Sequence, residues 1–219
     1  VALARALVRR PRLLLLDEPL SALDAVLRES LRADLRRLLT AAGIPVILVT
    51  HDRTEALALG DEIVVMIDGA VRQKGPVLDV FNRPHDPEVA RIVGVETLQA
   101  GRIETVQDGL ATVAIGAARL LAVAPPDVES EVLVCIRGED VILQRDPTGQ
   151  SSVRNRLVAR IVTVRQESPL VRVELDAGFP LLAFVTRPAC EELGLRPGET
   201  VTALVKAPAV HLIARPRQT

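Results

Sequence analysis

Leu13-Leu14-Leu15-Leu16-Asp17-Glu18-Pro19 is the stretch on which the reading of this chain turns. Four apolar residues ending in two carboxylates predict a buried strand that delivers its acids at its C-terminal end. That edge is where open α/β sheets hold their ligands. Adjacent strand residues face opposite ways, so a turn at Pro19 is needed to re-aim Glu18 toward the side of Asp17. Pro45-Val46-Ile47-Leu48-Val49 predicts a second buried strand beside the first. Thr50-His51-Asp52 follows it, which places His51 within reach of the two acids.

Working outward, residues 1 to about 93 alternate in α/β fashion. A helix over roughly 23–42 carries Leu27, Leu31, Leu35, Leu38 and Leu39 at helical spacing, with Arg28, Arg32 and Arg36 expected to face out, and Gly43 as its stop. A short helix is expected over 53–59, then a hairpin of strands 62–67 and 70–73 about Asp68-Gly69. Two short helices, 77–81 and 87–93, close the region.

From 94 to 219 the texture becomes short alternating strands with turn signals, the pattern of β-barrels. Gly101-Arg102-Ile103-Glu104-Thr105-Val106 lines up with Ala159-Arg160-Ile161-Val162-Thr163-Val164. Val134-Cys135-Ile136-Arg137-Gly138 lines up with Ala203-Leu204-Val205-Lys206-Ala207, so Arg137 matches Lys206. Two repeats are therefore expected, at about 100–146 and 152–215. The second carries an extra helix near 188–194. The fold class expected is α/β followed by an all-β double barrel.

Composition narrows the partners. A net charge of −1 and 1% aromatic residues in 219 residues give no basic or stacking surface for nucleic acid. Apolar runs fall well short of the ~18 residues needed to span a bilayer. Cys135 and Cys190 are too few and too distant for a zinc site or a C-x-x-C pair, and read as free thiols. The chain opens on Val1 within a helical pattern that has no cap before it, as the later part of a longer protein would.

Hydrolysis of a magnesium-bound nucleotide needs one acid for the metal's water shell, a second for the attacking water, and a group that senses the γ-phosphate. Asp17, Glu18 and His51 can fill these three roles. No G-x-x-x-x-G-K-[ST] loop occurs in these residues, so the usual phosphate cradle is not among them.

Taken in order, these motifs resemble the second half of ABC-transporter ATPases, over residues 1–93. The resemblance implies a partial P-loop NTPase fold. Asp17 would serve Mg²⁺ through water and Glu18 would activate the attacking water, as the Walker B acids do. His51 would be the switch histidine. Ser21-Ala22-Leu23-Asp24 matches the loop that communicates across the nucleotide sandwich, so Ser21 and Asp24 would border the nucleotide. ATP and Mg²⁺ are the implied substrate and cofactor. A homodimer of ATPase subunits, integral-membrane permease subunits and, indirectly, a substrate-binding protein are the implied partners. The implied location is the cytoplasmic face of the bacterial inner membrane, held peripherally. With its phosphate loop and signature motif lying before Val1 in such a family, residues 1–219 alone are expected to show no ATPase activity.

The second half resembles the molybdate-binding (TOBE/MOP-like) barrel that follows molybdate importer ATPases. Ser151-Ser152-Val153-Arg154-Asn155-Arg156-Leu157 and Val205-Lys206-Ala207-Pro208 carry the likeness. Small oxyanions are held by amides, hydroxyls and one or two cations. The resemblance assigns that task to Ser152, Arg154, Asn155 and Lys206, with molybdate as a regulatory ligand. Val153 stands where the family commonly has alanine, and Pro208 where a hydroxyl residue is common. Both departures are expected to weaken the site. Two alternatives stay open: an ATPase subunit for sulfate, polyamine, iron or sugar import, and a stand-alone oxyanion-binding module without ATPase activity.

Overall fold

The computed structural model describes residues 2–126, 130–146 and 151–215. Contacts divide the chain into two units, Val1–Phe81 and Asn82–Thr219. The sequence pattern placed the change near residue 93. The helix Pro87–Ile92 falls within the second unit, with Val89 and Ala90 buried.

In the first unit, helix α1 (Ala2–Val8) leads to β1 (Leu14–Asp17), α2 (Ala25–Ala42), β2 (Val46–Val49), α3 (Arg53–Leu59), the hairpin β3 (Glu62–Ile67) and β4 (Ala70–Pro76), and α4 (Val77–Asn82). β1 and β2 pair in parallel, Leu14 opposite Val46 and Asp17 opposite Val49. One face of this pair is covered: Leu20, Leu35 and Leu59 are buried with Leu16, Leu31, Leu39 and Leu48 against them. The other face is open, with Leu15 67%, Ile47 54% and Val49 55% exposed.

α2 starts at Ala25, because Asp24 caps it: its carboxylate accepts the Leu27 amide at 2.9 Å. It stops at Gly43, where φ is +63° and the amide returns to the Thr40 carbonyl. The expectation that Arg28 and Arg32 face out is corrected. Both reach the Asp52 carboxylate, at 3.4 and 3.9 Å, because α2 lies beside the start of α3 and a capping acid there draws in the nearest cations. Leu27 and Leu38, expected inside, are exposed.

In the second unit, α5 (Pro87–Ile92) precedes β5 (Thr97–Gln107), β6 (Leu110–Ile115), β7 (Ala118–Val123), β8 (Glu131–Ile136), a 3₁₀ turn at Gly138–Asp140 and β9 (Ile142–Gln144). There follow β10 (Asn155–Glu167), β11 (Leu170–Asp176), β12 (Pro180–Thr186), α6 (Arg187–Glu192), β13 (Thr200–Val205), a 3₁₀ turn at Ala207–Ala209 and β14 (His211–Ala214). They form two five-stranded sheets, in the orders β14-β8-β5-β6-β7 and β12-β11-β10-β13-β9. In each, the first and last strands approach one another, which curls the sheet toward a barrel.

The repeat is exact enough to include a bulge at matching places, between Ile103 and Thr105 in β5 and between Ile161 and Thr163 in β10. The two copies are not, however, self-contained. β9, from the first repeat, pairs with β13 of the second, and β14, from the second, pairs with β8 of the first. Each sheet thus takes its fifth strand from the other copy. One continuous core results, running through Val113, Leu120, Val134 and Ile136 to Ile161, Leu175, Ala183 and Val205.

Candidate functional site

Asp17 closes β1, and the next residue adopts a backbone that non-glycine residues rarely take. Glu18 has φ +46°, a conformation costing about 1–3 kcal/mol. This is the re-aiming that strand geometry demands. The turn is held by the Glu18 amide on the Val49 carbonyl and by Ser21, whose amide and hydroxyl both donate to the Glu18 carbonyl, the hydroxyl at 2.9 Å.

The re-aimed carboxylate meets the end of β2. Glu18 Oε1 lies 2.6 Å from His51 Nδ1 and accepts the His51 amide at 3.2 Å. His51 is exposed, and its pKa stands above the ordinary 6.5 because Glu18 accepts a hydrogen bond from the ring and adds an attractive charge. Behind it, Asp52 caps α3 by accepting the amides of Thr54 and Glu55. Burial opposes its ionisation, but those amides and Arg32 hold its carboxyl below the usual range. Glu55, 2% exposed, accepts the Thr50 hydroxyl at 2.8 Å, and that hydroxyl accepts the Asp52 amide at 3.0 Å. This part-buried chain of bonds holds the loop carrying His51. Thr50 and Glu55 were not singled out from sequence; a Thr two residues before a helix cap, with an acid in the first turn, was the available signal.

Of the nucleotide-site residues expected from sequence, Asp17, Glu18, Ser21 and His51 gather around one strand edge. Asp24 stands slightly apart as the cap of α2. Among the described residues no three acidic, histidine or cysteine side chains cluster as a metal cage.

The second unit holds the oxyanion candidates. Asn155 ↔ Val205 is a cross-strand pair, so Arg154 and Lys206 flank it at the same end of β10 and β13. Ser152, Arg154 and Lys206 are exposed. Asn155 is buried and differs in role: its Oδ1 accepts the Leu121 amide at 2.7 Å and its Nδ2 donates to the Leu121 carbonyl at 2.9 Å. Its amide is spent on β7 of the other repeat, so it pins the two repeats together. Thr97 does the same in mirror fashion, its hydroxyl accepting the Leu182 amide at 3.1 Å. Cys135 is buried, its thiol pushed up to about 12 by burial, and the partly buried Cys190 is also raised, by burial first.

Residues 151–212 match the TOBE domain family. The chain is 39% identical over 213 residues to a molybdate/tungstate import ATP-binding protein, WtpC, of Pyrococcus horikoshii, covering 97% of this chain and 59% of that protein. It is 38% identical over 221 residues to a sulfate/thiosulfate import ATP-binding protein, CysA 2, of Chromobacterium violaceum, covering 99% of this chain and 58% of that one. The cytoplasmic molybdate-binding protein ModG, solved with molybdate bound, is 26% identical and superposes with a TM-score of 0.48 over 55% of this chain and 97% of its own. The chain thus spans about 60% of the length of the curated relatives it matches. Over nearly its whole length the chain is similar to the C-terminal part of import ATP-binding proteins, and its residues 151–212 match the TOBE domain.

Proposed function

We propose that this chain is the hydrolytic and sensing part of an ATP-driven importer of molybdate or tungstate. The observation that carries the proposal is the Glu18–His51 pair, formed across two adjacent strands by a residue held at φ +46°. A positive φ also occurs at Arg10, Asp68 and Asp108, so the weight of the proposal rests on the pairing of carboxylate and imidazole at the ends of two neighbouring strands.

Asp17 would hold Mg²⁺ through the ion's water shell; when bound, the ion neutralises charge developing on the phosphate oxygens. Glu18 orients the attacking water and takes its proton. His51, its proton stabilised by Glu18, donates toward the terminal phosphate. Ser21 fixes the Glu18 carbonyl and so positions the acid, and Asp24 sets where α2 begins. Two such subunits would sandwich two ATP molecules beneath permease subunits on the cytoplasmic face of the membrane. No helix among the described residues is long and apolar enough to cross a membrane, which suits a peripheral subunit.

The TOBE domain would sense the imported oxyanion through Ser152, Arg154 and Lys206, and bound anion would slow hydrolysis, a coupling between two sites. The sulfate/thiosulfate relative supports a second reading in which sulfate is the cargo. In the assembled transporter, E18Q is expected to lower ATP turnover about 10²–10⁴-fold while nucleotide still binds. Unchanged turnover would overturn the assignment. Excess molybdate, and not sulfate, is expected to slow the unmutated transporter; the reverse order would favour the second reading.

A further inference from the structure

The two repeats place opposite charges at one equivalent position. Thr97 opposite Ile136 matches Asn155 opposite Val205, and each begins its long strand. One residue earlier stand Glu96 in the first repeat and Arg154 in the second. One residue beyond the partner strand stand Arg137 and Lys206.

In the first repeat these groups are used internally. Glu96 Oε2 accepts the Gly138 amide at 2.9 Å, although the residue lies at the surface. Arg137 donates to the Val93 carbonyl at 3.2 Å and lies 3.8 Å from Glu139. Gly138 is pressed on β12 so closely that a Cβ would come within 2.7 Å of Leu182 Cδ2 and 2.8 Å of Phe184 Cδ2. The amide is therefore fixed where the carboxylate reaches it. In the second repeat Arg154 and Lys206 are exposed side chains of one sign. The matching amide belongs to Ala207, and no acid stands at position 154 to meet it.

We infer that Glu96 is a built-in anion that closes the first repeat, so that this domain takes one oxyanion per chain, at the second repeat. The inference rests on the oxyanion reading of Ser152, Arg154 and Lys206. A carboxylate and a tetrahedral oxyanion satisfy the same N–H donor, here the Gly138 amide, since both present charged oxygens to it. A tethered one needs no capture from solution and holds its place against free anion.

The test is calorimetry of the full chain with sodium molybdate, on the unmutated protein, E96R, E96S and R154E, each first checked for an unchanged unfolding midpoint. One molybdate per chain is expected for the unmutated protein, and no heat for R154E. Two are expected for E96R or E96S, whichever keeps the midpoint. Two molybdates on the unmutated protein, or one on a Glu96 variant that keeps its midpoint, would overturn the inference and leave the oxyanion reading standing. No heat on the unmutated protein would remove that reading and the inference together.

Discussion

Glu18 Oε1 accepts both the side chain and the backbone of His51, at 2.6 Å from Nδ1 and 3.2 Å from the amide. One carboxylate oxygen thus ties the end of β1 to the end of β2, alongside the Leu14–Asp17 register with Val46–Val49. The tie makes His51 a reporter of Glu18.

The His51 pKa is raised by the Glu18 hydrogen bond first and its charge second. A group raised in the folded state contributes stability below its unfolded value of about 6.5 and loses it as pH rises through the folded value. The imidazole is fully exposed, so the useful readout is the titration itself. Followed by the ring C–H resonance in NMR, His51 is expected to titrate above 6.5 and to fall back toward it in E18Q. Identical midpoints in the two proteins would contradict the pairing.

His211 behaves in the opposite sense. Burial lowers its pKa; its bond to the Pro84 carbonyl, 2.9 Å from Nε2, opposes that shift, while Arg83 and His85 add to it. A depressed histidine contributes stability above the unfolded value near 6.5 and loses it as pH falls toward the folded value, because the unfolded chain then binds the extra proton. Urea unfolding at pH 7.5 and 5 is expected to show a drop in stability that H211Q reduces. An equal drop in both proteins would contradict it.

Asn155 tests the joining of the repeats. N155A leaves the Leu121 amide and carbonyl without their partner, at a cost of about 2–4 kcal/mol in unfolding free energy. N155T, which copies the hydroxyl found at Thr97, is expected to recover part of the loss. A change under about 0.5 kcal/mol in N155A would show that the pin carries no weight.

The exchanged strands make a further prediction. A chain break introduced between Asp146 and Ser151 is expected to leave the two repeats associated on gel filtration, because β9 and β14 each sit in the other repeat's sheet. Separation into two folded halves would contradict the exchange.

Much of this was legible in the sequence, for physical reasons that also mark where it stopped. The strand at Leu14–Asp17, the cap role of Gly43 and the hairpin at Asp68-Gly69 are local matters, written in apolar runs and in residues that tolerate positive φ. The repeat was visible because like strands need like patterns. Which sheet a closing strand enters is not a local property, so the exchange of β9 and β14 could not be read from the repeat. Asn155 shows a related limit. Beside Ser152 and Arg154 it reads as a ligand donor, and only the approach of Leu121, 34 residues away in sequence, shows where its amide goes. Glu96 went unremarked because its partner, Gly138, lies 42 residues on.

The most direct measurement is a calorimetric titration of the chain with molybdate and, at matched ionic strength, with sulfate. The account predicts heat with molybdate that is lost in R154E, and much weaker heat with sulfate. Equal heats for the two anions, or none for either, would contradict it.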